Sequence, residues 1–243
     1  ALWREQGMKG YTFVVQLQVP GPPHKSFVMY FGCASRDRVF EHDTPFSRTA
    51  RRFIVEEDTT PTSGNQTLHK WRNNTFKLIP RCVNAPFVVK RAVGEVPTLL
   101  GNKLQQSYFG RHDYFEVDVN ISSSRIAQYT VGLALNYASV VICDLAFVLQ
   151  GATPAELPEV IAGAMRIEHI SMKDATTFNL NSTNNESPTP GRGAVLLRIK
   201  TIIVGGATTS FIPSARTRSA EIQKFGRASL HLRWCCSVRV KFE

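Results

Sequence analysis

The 243-residue sequence has little of what catalysis or metal binding needs. Its five cysteines, Cys33, Cys82, Cys143, Cys235 and Cys236, form no C-x-x-C pair and keep no regular spacing. That argues against a disulfide scaffold and favours a reducing compartment. No glycine-rich loop follows a strand and opens a helix. The stretches GPP, VGG and GRG lie elsewhere, so a phosphate cradle of backbone amides is not expected. A charged-then-apolar leader is also missing. The chain opens ALWREQGMKGYTFVV without an initiator Met, which leads us to expect a natural N-terminus further upstream. Five Asn-x-Ser/Thr triplets, at Asn65, Asn73, Asn120, Asn181 and Asn185, carry little weight without a leader. The longest apolar run, Val131–Leu149, has about the length of a membrane span, but Asn136 and Asp144 interrupt it. A charge near the bilayer centre is costly, so the run reads as a buried helix followed by a strand, not as transmembrane.

Acid is scarce at the C-terminal end. From Ser187 onward, ten Lys and Arg face only Glu221 and Glu243, which accounts for +8 of the formal net charge of +10. The basic character therefore belongs to the tail. A pI near 9.6 favours anionic partners in general. With 43% hydrophobic residues the chain is long enough for one substantial core.

Strand signals dominate what is present. Tyr11–Val19 and Ser26–Phe31 flank the breaker PGPPH and read as a hairpin. Ala34–Arg72 is mixed in charge with little periodicity, and EEDTTPTSGNQT reads as a surface loop. Phe76–Ile79, Phe87–Lys90 and Lys103–Phe109 read as short strands. In YFEVDVNI, Phe115, Val117, Val119 and Ile121 face one way, while Glu116, Asp118 and Asn120 face the other. The Ser122–Ser124 cluster predicts a helix cap before RIAQYTVGLALNYASVV. CDLAFVLQG and MRIEHIS read as strands. Between them Thr153, Pro154 and Glu156 carry the signature of a helix start. NLNSTNNESPTPGRG is a polar linker, followed by two strand-like runs, AVLLRIKTIIVGG and HLRWCCSVRVKF. The expected fold is α+β. A mostly antiparallel sheet packs on one long apolar helix (about 124–140) and a shorter one (about 154–163), with a helix-grip-like lipid cavity as the alternative. The expected units are 1–175, a linker at 176–193, and a basic extension at 194–243.

The motifs FVVQLQVPGPPHKSFVMYF, FKLIP, FVVKRAVGEVPTLLG, YFEVDVNISSS and DLAFVLQGATPAELPEVIAGAMRIEHI occur in one order. This ordered set resembles the C-terminal domain of the plant enhanced disease resistance 2 family over about 11–170. The resemblance implies a domain that here lacks its N-terminal part, since the family domain usually begins before the hairpin. It also implies a cytoplasmic, regulatory protein peripheral to the endomembrane or plasma membrane, linked to restraint of defence and cell death. In plant members the domain follows a phosphoinositide-binding module and a lipid-cavity module. The resemblance implies no enzyme activity, no catalytic residues and no cofactor.

Candidate chemistry does not converge in the sequence. His24, His112 and His169 read as turn or surface residues, and Cys143 beside Asp144 reads as an inert core thiol. Glu116 and Asp118, with Asp113 nearby, read as a wet strand face with no metal-ligand spacing. An apolar ligand or packing surface is expected at Gly132, Ala134, Ala138, Phe115, Val117 and Val119, since small helical residues leave space against a curved sheet. Contact with an anionic surface is expected at Arg216, Arg218, Lys224, Arg227, Arg233, Arg239 and Lys241. Aromatic residues among these would equally suit nucleic acid, which is the less favoured partner. Cys235 and Cys236 beside Trp234 are a weak acylation signal. The leading expectation is a lipid-binding or lipid-responsive regulatory domain. A protein-interaction domain without a ligand is second, and an enzyme third.

Overall fold

The computed structural model describes residues 10–21, 24–33, 36–55, 64–171 and, for the backbone, 235–242. Two sheets face each other. The first has five strands in the order β5-β6-β1-β2-β9: β1 (Tyr11–Val19), β2 (Lys25–Cys33), β5 (Gln105–Gly110), β6 (Tyr114–Asn120) and β9 (Cys235–Phe242). The second has four in the order β4-β3-β7-β8: β3 (Phe76–Asn84), β4 (Thr98–Leu99), β7 (Ile142–Leu149) and β8 (Ile161–Glu168). All pairings are antiparallel except β1 with β6. β9 extends the sheet along β2, with Lys25 opposite Phe242 and Gly32 opposite Cys235.

Aromatic side chains fill the space between the sheets. Phe13, Phe31 and Phe115 from the first meet Phe76 and Phe147 from the second, with ring centroids 6.1 Å apart for Phe13–Phe76 and 5.8 Å for Phe31–Phe147. Phe53 closes one end, 5.9 Å from Phe76 and 5.5 Å from Phe115. Such pairs contribute about 0.5–1.5 kcal/mol each beyond the area they bury. Gly163 on β8 is required by this packing, because a Cβ there would stand 2.6 Å from the Phe31 ring.

The hairpin β1–β2 forms where its β-branched and aromatic residues predict it, in register from Tyr11–Cys33 to Val19–Lys25. β6 shows the expected alternation, with Phe115, Val117 and Val119 buried. The strands expected at 103–109, 143–151 and 165–171 are present as β5, β7 and β8, within a few residues at their ends.

Several expectations are corrected. The stretch 34–72, mixed in charge and with little periodicity, holds α1 (Arg36–Phe40), α2 (Pro45–Ile54) and most of α3 (Gly64–Asn73), and α3 begins inside the expected loop EEDTTPTSGNQT at 56–67. Phe46, Ala50, Phe53 and Ile54 give α2 its buried face, and Arg48, Arg51 and Arg52 lie outside it. Thr44 and Ser47 cap α2 reciprocally, with Ser47 N donating to Thr44 Oγ1 at 3.0 Å and Thr44 N to Ser47 Oγ at 2.9 Å. Phe87–Lys90 is not a strand but part of the helix α4 (Phe87–Val93), which starts after Pro86 and ends at Gly94, where φ is 67°. Pro86 supplies a fixed φ for the entry, and Val89 gains burial against Cys82, Val141 and Cys143.

The single long apolar helix and the shorter helix are also corrected, and with them the architecture. Helix α5 (Arg125–Asn136) has twelve residues, none fully buried. Its cap is the predicted Ser124, whose Oγ accepts from Ala127 N at 3.4 Å. The following Tyr137–Val141 forms turns tied to the end of β8: Ile170 N donates to Ala138 O at 2.8 Å and His169 N to Val141 O at 3.1 Å. The β-branched residues at 140–142 then favour β7 over a longer helix. At 154–163 the start signal is real but yields only one 3₁₀ turn, Pro154–Glu156. Pro158 lacks an N–H and holds Leu157 extended (ψ 150°), and Ile161 onward pairs with β7. Two facing sheets with short helices replace one sheet on one helix. Among the described residues no helix is long and apolar enough to cross a membrane.

Candidate functional site

Two helices cover the part of β3 and β7 that lies beyond the phenylalanine core. On β3, Phe76, Leu78 and Cys82 share one face by strand alternation. Phe76 and Leu78 belong to the main core and Cys82 to a second cluster. That second cluster holds Cys82, Val89, Val141 and Cys143, packed by Ala85 and Val93 from one side and Leu133 and Ala134 of α5 from the other. α4 and α5 therefore pack on each other over a shared floor. α5 turns Ala127, Val131 and Leu135 toward the main core, at the i, i+4, i+8 spacing of one helix face.

The outward sides of this pair are apolar and basic. Ile126 is 80% exposed, Tyr129 65% and Phe87 78%. Val88, Tyr137 and Val140 are exposed as well, so among the described residues six of the nine large exposed hydrophobic residues fall on α4, α5 and the turn after α5. Neither helix contains an acid, while Lys90, Arg91 and Arg125 are exposed. Lys90 Nζ reaches Val83 O at 3.5 Å. A folded chain normally keeps such side chains apart or inside. Their concentration on one helical pair, with basic residues and no acids, makes this the candidate surface among the described residues.

The expected ligand or packing residues are separated by the fold. Phe115, Val117 and Val119 are buried in the main core, where Phe115 stacks on Phe13 and Tyr108. Ala134 packs on the second cluster and Ala138 is buried in the turn after α5. Gly132 is half-buried, and a Cβ there would meet nothing within 4 Å. Of the expected anionic contacts, Arg216, Arg218, Lys224, Arg227 and Arg233 lie outside the described residues, as do the linker, AVLLRIKTIIVGG and the loop residues 56–63. Arg239 and Lys241 lie on the backbone of β9, and Cys235 and Cys236 begin that strand.

The titratable groups serve packing and turns. Asp118 Oδ2 accepts from Gln18 Nε2 at 3.0 Å on the outer side of the first sheet. His169, at φ 46°, bonds Ser139 O through Nδ1 at 2.8 Å and so pins the turn after α5. His112 Nδ1 lies 3.6 Å from Asp113. Asp144 and Arg166, opposite each other on β7 and β8, form a two-pronged pair with one arm at 3.0 Å. Asn120 Oδ1 accepts from Ser122 N at 2.9 Å, and Asn73 Oδ1 accepts from the Tyr108 hydroxyl at 2.8 Å. Burial pushes the Tyr11 and Tyr108 hydroxyls well above the ordinary tyrosine range, against the pull of Arg36 and Arg72 respectively. Among the described residues no three His, Cys, Asp or Glu side chains gather to hold a metal ion.

Sequence reasoning missed the outward face because α5 is rich in apolar residues, a composition that predicts burial. A helical wheel held the signal: Ile126 and Tyr129 stand opposite the Ala127, Val131, Leu135 stripe.

Comparison with known proteins agrees with the ordered motifs. The profile of the family described as Protein ENHANCED DISEASE RESISTANCE 2, C-terminal, matches residues 3–171. A protein named "Protein ENHANCED DISEASE RESISTANCE 2-like" from Arabidopsis thaliana is 34% identical over 178 residues, 73% of this chain. The chain spans only 22% of that relative's length. No solved structure matches. On the family profile and the ordered motifs together, the chain belongs to the enhanced disease resistance 2 C-terminal family.

Proposed function

We propose that this is a membrane-associated, lipid-responsive regulatory domain, acting in the restraint of defence and cell death as its family resemblance implies. The observation that carries the reading is the outward side of α4 and α5. Phe87, Ile126 and Tyr129 are held out of the protein beside Lys90, Arg91 and Arg125, with no acid on either helix. Apolar side chains partition into the acyl boundary, and each nearby Lys or Arg adds about 1 kcal/mol at an anionic surface. The aromatic packing of the main core supports a contact at the surface rather than a ligand between the sheets. The basic C-terminal stretch, with Arg216, Arg218, Lys224, Arg227, Arg233, Arg239 and Lys241, adds longer-range attraction to the same surface.

The test is co-sedimentation of the full chain with phosphatidylcholine vesicles, with and without phosphatidylserine. The reading expects binding to the anionic vesicles that weakens as salt rises, and little binding to the neutral ones. No binding to either would overturn it and leave the helical face to a protein partner.

A further inference from the structure

We propose that Cys82 and Cys143 form a redox modification site, a buried dithiol that a hydroperoxide converts to a reversible cross-strand disulfide. The two cysteines lie 61 residues apart in sequence, and the β3–β7 ladder sets them directly opposite each other. Directly paired residues of antiparallel strands have Cα atoms about 4.5–5.5 Å apart, inside the roughly 4.4–6.8 Å that a disulfide spans. Their side chains already converge, with Sγ to Sγ at 2.8 Å. The ladder shifts register between Cys82 and Asn84, giving β3 local freedom at this point. The pair is free in the structure and belongs to the cluster beneath α4 and α5. No function described above uses it.

The chemistry balances with one hydroperoxide per pair. One thiol loses its proton, and its sulfur attacks the peroxide oxygen. The O–O bond breaks to give a sulfenic acid and, from hydrogen peroxide, a first water once the released proton is taken up. The second sulfur then attacks the sulfenic sulfur. The S–S bond forms, the S–O bond breaks, and the hydroxyl leaves with the second thiol's proton as another water. The two cysteines are oxidised by two electrons in all, which reduce the peroxide. Burial pushes the Cys143 thiol well above its ordinary range. The hydrogen bond with Cys82 and the charge of Asp144 act in the same direction, and Lys90 opposes them. The Cys143 thiol is therefore slow to react and stays reduced until peroxide persists.

The test treats the full chain with hydrogen peroxide, alkylates remaining thiols, and maps tryptic peptides. The expected product links the peptide Cys82–Lys90 to the peptide Ile126–Arg166, with a mass lower by two hydrogen atoms and reversal by dithiothreitol. It is absent from Cys82→Ser and from the better-packed Cys82→Val. By closing a long loop, the bond is expected to raise the melting temperature by roughly 5–15 °C. Recovery of Cys82 and Cys143 as alkylated thiols, as sulfinic acids, or in links to other cysteines would overturn the proposal.

Discussion

The two ends of the four-stranded sheet are covered in different ways. At one end Phe76 and Phe147 meet Phe13, Phe31 and Phe115 from the opposite sheet, and every ring is buried. At the other, Cys82 and Cys143 lie under two short helices that turn Phe87, Ile126 and Tyr129 outward. The first arrangement removes almost all available aromatic area from water and fixes the fold. The second buries a small cluster of cysteines and valines and leaves large side chains exposed. A chain optimised for stability alone would hide them. In the proposed function, stability and recognition are thus divided between the two ends.

That division is broken most directly at the aromatic end. Phe147→Ala removes a fully buried ring stacked on Phe76 at 5.4 Å. It is expected to cost about 3–5 kcal/mol, read as a lowered urea midpoint without a change in slope. Gly163→Ala tests the fit of the sheets from the opposite direction. The added Cβ meets the Phe31 ring, and a loss of about 1–3 kcal/mol is expected in the same assay.

The buried tyrosines sharpen the comparison through pH. Both hydroxyls have folded pKa values raised above the ordinary value of 10.0. Above that value the unfolded chain gives up protons that the folded chain retains. Stability is therefore fully present below about pH 10 and falls as pH rises further. Tyr108→Phe removes part of this alkaline loss but also a hydroxyl bonded to Asn73, and costs about 1 kcal/mol at neutral pH. The Tyr11 hydroxyl is buried without a hydrogen bond. Tyr11→Phe should leave neutral-pH stability within about 0.5 kcal/mol while lessening the alkaline loss. Thermal melts across pH 7 to about 11 read both effects.

On the helical face the stability effects are the smallest. Ile126→Ser and Tyr129→Ser change side chains that are mostly in water, so each should shift stability by no more than about 0.5 kcal/mol.

The strands were legible because one buried and one wet face write a period of two into the sequence, as in Phe115, Val117 and Val119 against Glu116 and Asp118. The helices were less so. Ser47 stands where a capping box usually has Glu or Gln, and three arginines obscure the α2 stripe. β-branched residues in α4 imitate a strand, and burial of Val89 overrides their propensity. Pro158 halts a helix that Thr153 and Pro154 begin well. The candidate surface was hidden because apolar content alone does not say which residues a neighbour covers. Cys82 and Cys143 meet only through strand pairing, which no local spacing encodes.

The most direct test of this division is vesicle binding by the combined Phe87→Ser, Ile126→Ser and Tyr129→Ser variant. It is set against a control carrying Phe109→Ser and Leu157→Ser, exposed apolar positions on neither helix. Both variants keep every basic residue of the tail. The account predicts that the helical variant binds phosphatidylserine vesicles roughly tenfold or more weakly at an unchanged melting temperature, and that the control binds like the natural chain. Equal binding by all three proteins would contradict it.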